Sequence, residues 1–154
     1  MVFIIVTATL ALDQLTKFIA AKNLFYGHSV PVIKGFFHFT LIHNRGAAFG
    51  ILKNQIPLFI FSSIIAAVLI FFELRSKKHR RLYEVALSLI LAGALGNLID
   101  RLLFGYVIDF LDFRVWPVFN IADSAVTVGA ILLAWTIIRT KDQRPKTKNK
   151  KSLI

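Results

Sequence analysis

Four stretches of the chain stay apolar for the length a helix needs to cross a hydrocarbon core, about 20 residues at a rise of ~1.5 Å each. They run from about Met1 to Ala21, Ile56 to Leu74, Leu82 to about Leu103, and Val118 to Ile138. Between the first two, the segment from Val30 to His43 is rich in β-branched and aromatic residues, which predicts short strands at a membrane surface. No internal repeat is evident. The pattern predicts an integral membrane protein, mainly α, with four transmembrane helices and a β-rich segment over about 30–50. Residues 1–139 are expected to form one four-span unit, followed by a basic, disordered tail over 140–154.

Composition agrees with this reading, and charge orients it. The chain is 56% hydrophobic, 18% charged, and carries a formal net charge of +11, with a mean hydropathy of +0.68. Twelve of its 19 Lys and Arg residues fall in two short segments, five between Arg75 and Arg81 and seven after Ile138. Basic residues packed beside apolar spans mark cytoplasmic loops, so the basicity sets topology and is not a nucleic-acid surface. An even number of spans then places both termini in the cytoplasm, with residues 22–55 and 104–117 facing outward. The outward segment 22–55 does carry Lys22, Lys34, Arg45 and Lys53 without an acid, but four charges in 34 residues are sparser than five in seven. Met1 to Ala11 has the look of a leader, yet it lacks a basic start and the apolar run continues to Ala21, so a retained span is expected.

Ionisable groups at bilayer depth are functional candidates because burying them in lipid costs several kcal/mol. Asp13 and Lys17 stand at i and i+4 in the first span, an ion-pair spacing with the acid in the favourable order. A structural and a direct functional role are both open for this pair. In the third span, Asn97, Asp100 and Arg101 share one helical face. Asp100 and Arg101 form a pair that can neutralise itself or anchor the interface. Upstream, Ser88, Ala92 and Gly96 form a small-residue stripe that lets a neighbouring helix approach closely. Tyr106 to Phe113 is amphipathic, with Asp109 and Asp112 three residues apart. Asn120 and Asp123 open the fourth span with the spacing of an N-cap and its first turn.

The acidic residues then change the picture. Asp100, Asp109, Asp112 and Asp123 are four of only eight in the chain, and all fall near the outer interface. With no cysteine and no clustered histidine, neither a thiol nucleophile nor a metal site is expected. Ser62 and Ser63 have no base near them in sequence, Ser124 adjoins Asp123 and not a histidine or lysine, and the histidines are scattered through loops. Carboxylates gathered at a membrane boundary suit proton coupling in a transporter or aspartic proteolysis, in which two carboxyls share a proton. A non-catalytic assembly factor accounts for the stripe but not for the aspartates. Spacing only weakly favours Asp109 with Asp123, on the ground that Asp100 has Arg101 beside it.

Five motifs, in this order and spacing, resemble those of bacterial lipoprotein signal peptidase, or signal peptidase II. They are Asp13-Gln14-Leu15-Thr16-Lys17, Asn44-Arg45-Gly46-Ala47-Ala48-Phe49-Gly50, Gly93-Ala94-Leu95-Gly96-Asn97-Leu98-Ile99-Asp100-Arg101, Val107-Ile108-Asp109-Phe110 and Phe119-Asn120-Ile121-Ala122-Asp123. The resemblance covers nearly the whole chain. It implies a four-span protease of the bacterial plasma membrane, with its active site at the outer face and a small β-rich cradle over it. It further implies Asp109 and Asp123 as the catalytic dyad. Asn44, Asn97, Arg101 and Asn120 would line the site, and Asp13, Lys17 and Asp100 would support it. The implied substrates are prolipoproteins carrying a diacylglyceryl cysteine, cut before that cysteine, with membrane lipid as surroundings, no nucleic-acid partner and no cofactor. Two departures stand out: the stretch from Asp112 to Phe119 is short, and a glycine pair common in the family is here Ala92-Gly93.

Overall fold

The computed structural model describes residues 1–46, 55–76 and 80–142. In chain order the elements are α1 (Val2–Asn23), β1 (Ser29–Ile33), β2 (Phe37–Asn44), α2 (Ile56–Ser76), α3 (Arg81–Phe104), β3 (Val107–Asp112) and α4 (Ile121–Asp142). All four helices are long and apolar enough to cross a membrane. Residues Ala47 to Gly50 of the second motif, Lys77 and Lys78 of the basic turn, and the tail beyond Asp142 lie outside the described residues.

The helices are apolar outside and polar inside. Phe3, Phe61, Phe72 and Ile131 are each at least 63% exposed, while the largest fully buried side chains are Lys17, Asn120, Asp13, Asp100, Asp109 and Ser88. That is the reverse of a water-soluble core. It is stable against lipid, where the exterior loses nothing by exposure and polar groups must find partners within the bundle. Helix α3 is central and touches α1, α2 and α4. Its small-residue stripe is buried at Ser88, Ala92 and Gly96. At Gly96 the approach is so close that a Cβ would lie 2.5 Å from the Asp13 carboxylate.

Three antiparallel strands in the order β1-β2-β3 form one sheet at the end of the bundle where α3 stops and α4 starts. The strands expected over 30–43 are β1 and β2. The third strand was not anticipated: Tyr106 to Phe113, read only as an amphipathic stretch, supplies β3. Gly105 ends α3 in the left-handed conformation (φ 73°), turning the chain into β3 within two residues. A short loop then returns to the sheet, and Phe119 pairs with Leu111 through backbone bonds of 2.8 and 3.0 Å. Because Phe119 is held this way, the fourth helix starts at Ile121 and not at the expected 118. At its far end α4 runs on to Asp142, so the first residues of the expected tail are helical.

Candidate active site

Two groups of polar side chains meet beneath the sheet. The first is built around Lys17. Its ammonium is 2.9 Å from each of Asp13 Oδ2, Asp100 Oδ2 and Asn97 Oδ1, so all three of its N–H donors are used. The i, i+4 pair of α1 thus forms as expected, but Asp100 pairs with Lys17 on another helix and not with its neighbour Arg101. Both carboxylates also accept backbone amides: Ala122 N donates to Asp13 (2.8 Å) and Ile108 N to Asp100 (3.0 Å). Since Ala122 lies in the first turn of α4, Asp13 faces the positive end of that helix dipole. Gln14 Nε2 donates to both Asp13 and Asp100 at 3.1 Å. This cluster ties α1 to the end of α3, the start of α4 and β3.

The second group contains Asp109 and Asp123, held by amides. In the β2–β3 register Asp109 faces Ile42, so Asn44 is its same-face diagonal neighbour, and Asn44 Nδ2 donates to Asp109 Oδ2 at 2.9 Å. Asn120 Nδ2 donates to Asp109 Oδ1 at 2.7 Å. Asn120 also caps α4: its Oδ1 accepts from Asp123 N (2.9 Å), while its own N–H reaches Asp123 Oδ2 (3.3 Å). The capping expected from sequence is therefore present, and the same residue binds the other carboxylate. Asn97 Nδ2 donates to Asp123 Oδ1 at 2.8 Å. Through Asn97 Oδ1, which accepts from Lys17 and from Asn120 Nδ2 (3.1 Å), the two groups are joined.

Among the described residues, neither Asp109 nor Asp123 has an ion pair within 4 Å. Asp109 is 1% exposed and Asp123 is half-buried. Burial first, and then the nearby Asp123 carboxylate, push the Asp109 carboxyl up to about 7, against the Asn44 and Asn120 amides and the Lys17 charge, which draw it down. A carboxyl poised near neutrality beside a second one can hold or release a proton at working pH. Arg101 stands at the rim, with its guanidinium over the Phe59 ring (4.9 Å to the centroid) and a long bond to Asn97 O (3.4 Å). No group of three His, Cys, Asp or Glu residues able to hold a metal converges among the described residues.

A cavity of about 560 Å³ opens from this group between α2, α3 and α4, and its lining includes Asn44, Ser63, Asn97, Arg101, Trp116 and Asp123. Its size is that of a ligand site. The structure thus brings all nine sequence-predicted residues into one connected region. It leaves Asp112 out, on the other face of β3, where Thr40 and Arg114 bind it at 2.6 and 3.1 Å. Sequence reasoning passed over Gln14, which it quoted within a motif but gave no part. It weighed Ser62 and Ser63 only as nucleophiles, whereas they line the cavity wall on α2. Their signal was a polar pair inside an otherwise apolar span.

Comparison with known proteins places this architecture. The family model described as "Signal peptidase (SPase) II" matches residues 5–139. A lipoprotein signal peptidase of Moorella thermoacetica is 49% identical over 130 residues, covering 84% of this chain and 87% of that protein. One from Caldanaerobacter subterraneus subsp. tengcongensis is 47% identical over 139 residues, covering 90% and 96%. A solved structure described as a bacterial membrane enzyme, determined by the in meso method at 2.3 Å resolution, superposes with a TM-score of 0.85 at 35% identity, covering 99% of this chain and 94% of the other. With four membrane-spanning helices, that fold, and a family match over most of its length, this multi-pass bacterial membrane peptidase belongs to the signal peptidase II family.

Proposed function

We propose that the protein is a membrane-embedded aspartic endopeptidase. It removes the signal peptide from diacylglyceryl-modified prolipoproteins by cutting before the lipidated cysteine. The observation that carries the reading is the position of Asn120. One residue engages both carboxylates, donating to Asp109 and capping Asp123, and so fixes their relative placement. Asp109 and Asp123 share one proton. Water held between them is deprotonated by the ionised carboxylate as it attacks the scissile carbonyl, and the neutral one donates to the carbonyl oxygen. Neither a covalent intermediate nor a metal is required. Asn44 and Asn97 hold the reacting carboxyls, Arg101 sits where the substrate backbone would pass, and Asp13, Lys17 and Asp100 keep the helices in place.

The topology proposed from charge, with both termini cytoplasmic, puts the dyad at the outer face of the plasma membrane. Water is available there, and lipidated substrate reaches the cavity from the surrounding bilayer. Residues 1–139 act as one unit, with the basic tail outside it. The transporter reading had Asp13 or Asp123 as carrier, and it is disfavoured because Asp13, the one acid deep in a span, is paired with Lys17.

The test is incubation of purified protein with a diacylglyceryl-modified precursor, with and without chelator. Cleavage is expected to survive the chelator and to vanish in Asp109→Asn and in Asp123→Asn while both variants stay folded. Near-normal cleavage by both variants would falsify the assignment.

A further inference from the structure

Asp109 and Asp123 go without a counter-ion although a guanidinium stands close by. Arg101 lines the same cavity as Asp123, and both carboxylates lie near enough for their charges to act on it. An ion pair in so dry a place is strongly attractive, and the planar fork of arginine suits a carboxylate. Arg101 nevertheless pairs with neither. Two contacts hold it elsewhere: its guanidinium lies over the Phe59 ring, 4.9 Å from the centroid, and its Nη1 donates to Asn97 O at 3.4 Å. The second is near the long limit of a hydrogen bond, so the ring is the main restraint.

Phe59 lies in the first turn of α2 and is turned differently from the other phenylalanines of that helix. Phe61, Phe71 and Phe72 are exposed, as rings against lipid should be, whereas Phe59 is half-buried and meets α3 at Arg101. Leucine would satisfy the hydrocarbon equally well. A ring adds a negative π face, on which a guanidinium rests without being neutralised. Among the described residues, the other charges around the dyad are committed or distant. Lys17 is bound by Asp13 and Asp100, and Arg114 by Asp112. His43 stacks on Tyr106 on the other face of β2 from Asn44. Arg45 is exposed past the end of β2, and α2 carries its charged residues, Glu73 and Arg75, only at its far end.

We infer that Phe59 is a positioning residue: its ring holds the Arg101 guanidinium at the cavity rim and off the proposed dyad, so that the two carboxyls keep one proton between them. The inference rests on that dyad. Without the ring, Arg101 turns toward Asp123 and stabilises the fully ionised pair, and the acid that donates to the scissile carbonyl is lost at a lower pH.

The test reads the dyad without substrate, by infrared titration of the protein in lipid nanodiscs, following the protonated-carboxyl band that Asp109→Asn removes. In the parent this band is expected to fade with a midpoint of about 7. In Phe59→Leu the midpoint should fall by about one pH unit, the least that an opposite charge at contact range produces. Phe59→Tyr keeps the ring and should titrate as the parent does. Arg101→Gln alone should raise the midpoint only slightly, because a guanidinium held off the dyad contributes little to it. A rise of about one unit or more there would show that Arg101 is already the counter-ion, and would overturn the inference without any change at Phe59. Adding Arg101→Gln to Phe59→Leu should restore the midpoint. A double variant that stays low, or a Phe59→Leu midpoint equal to that of the parent, also overturns it, since the ring would then act on packing alone. So does a parent with no such band, which leaves Phe59 nothing to protect. With a lipidated precursor, the alkaline fall of kcat/KM in Phe59→Leu should begin about one unit lower. A parent that titrates as expected yet cleaves no precursor would sink the proposed function and leave the role of Phe59 standing.

Discussion

Two pairs of aspartates lie within one hydrogen-bonded region and keep different company. Asp13 and Asp100 share an ammonium and receive backbone amides. Asp109 and Asp123 receive mainly side-chain amides, which are neutral. A buried carboxylate with a cation at 2.9 Å keeps its charge and fixes structure, and removing the cation strands it. A buried carboxylate held only by neutral donors is not compensated, so its proton stays available. The difference teaches that burial alone does not mark a reacting acid. The counter-ion has to be missing as well.

The largest expected effect tests this directly. Asp109→Asn and Asp123→Asn should each lower kcat for a lipidated precursor by at least 10²–10⁴-fold, the usual worth of a positioned acid or base. Asp13→Asn and Asp100→Asn should act mainly on stability, and a stable but inactive Asp100→Asn would break the comparison. Next in size is Lys17→Met. With both acids left in a bundle that excludes water, unfolding in detergent should become easier by about 3–5 kcal/mol. Adding Asp100→Asn, which returns the cluster to the net charge of the parent, should recover part of that loss.

Much of this was legible in the chain. Four spans follow from apolar length, and the Asn120 cap and the Asp13–Lys17 pair follow from helical spacing. The Asp100 partner was not legible, because Arg101 beside it in sequence points away and Lys17 arrives from another helix. Asp109 and Asp112 were misleading for a simpler reason. Three residues apart, they share a face if the segment is helical but stand on opposite faces of a strand. Nothing in so short a stretch announces that β3 will pair with β2. Asn44 could be attached to Asp109 only through the β2–β3 register, which no local pattern encodes.

Titration sharpens the contrast further. With the Asp109 carboxyl near 7 in the free enzyme, kcat/KM should fall about tenfold per pH unit above that value as the dyad loses its proton. The same shift has a sign for stability. A carboxyl raised from 3.8 to about 7 on folding binds its proton more tightly in the folded state. Stability is therefore full below about pH 4 as far as this group is concerned and declines as pH rises through 7. The full shift amounts to about 4 kcal/mol, of which part returns when an amide replaces the carboxylate and loses hydrogen bonds. Asp109→Asn should accordingly be more stable than the parent at pH 8, by on the order of 1 kcal/mol, and thermal unfolding of the two proteins at pH 5 and pH 8 measures it. A variant that is less stable at both values would count against an uncompensated charge.

The smallest expected effect comes from a third kind of aspartate on the same strand. Asp112 is as buried as the others, yet it accepts from Thr40 Oγ1, Arg114 N and the Arg114 guanidinium. Burial raises its carboxyl, but those bonds and the Arg114 charge outweigh burial and hold it below its ordinary value. The sign is opposite to that of Asp109: its contribution is present above about pH 4 and disappears as pH falls through the lowered value. Thr40→Val should cost about 1 kcal/mol at pH 7 and less as pH falls through the lowered value, where protonation removes the charge that Thr40 binds. Cleavage by Asp112→Asn should stay near the parent rate, although Asp112 is only three residues from Asp109. Loss of activity there, without loss of stability, would mean that nearness to the cavity and not the absence of a counter-ion selects the reacting acid.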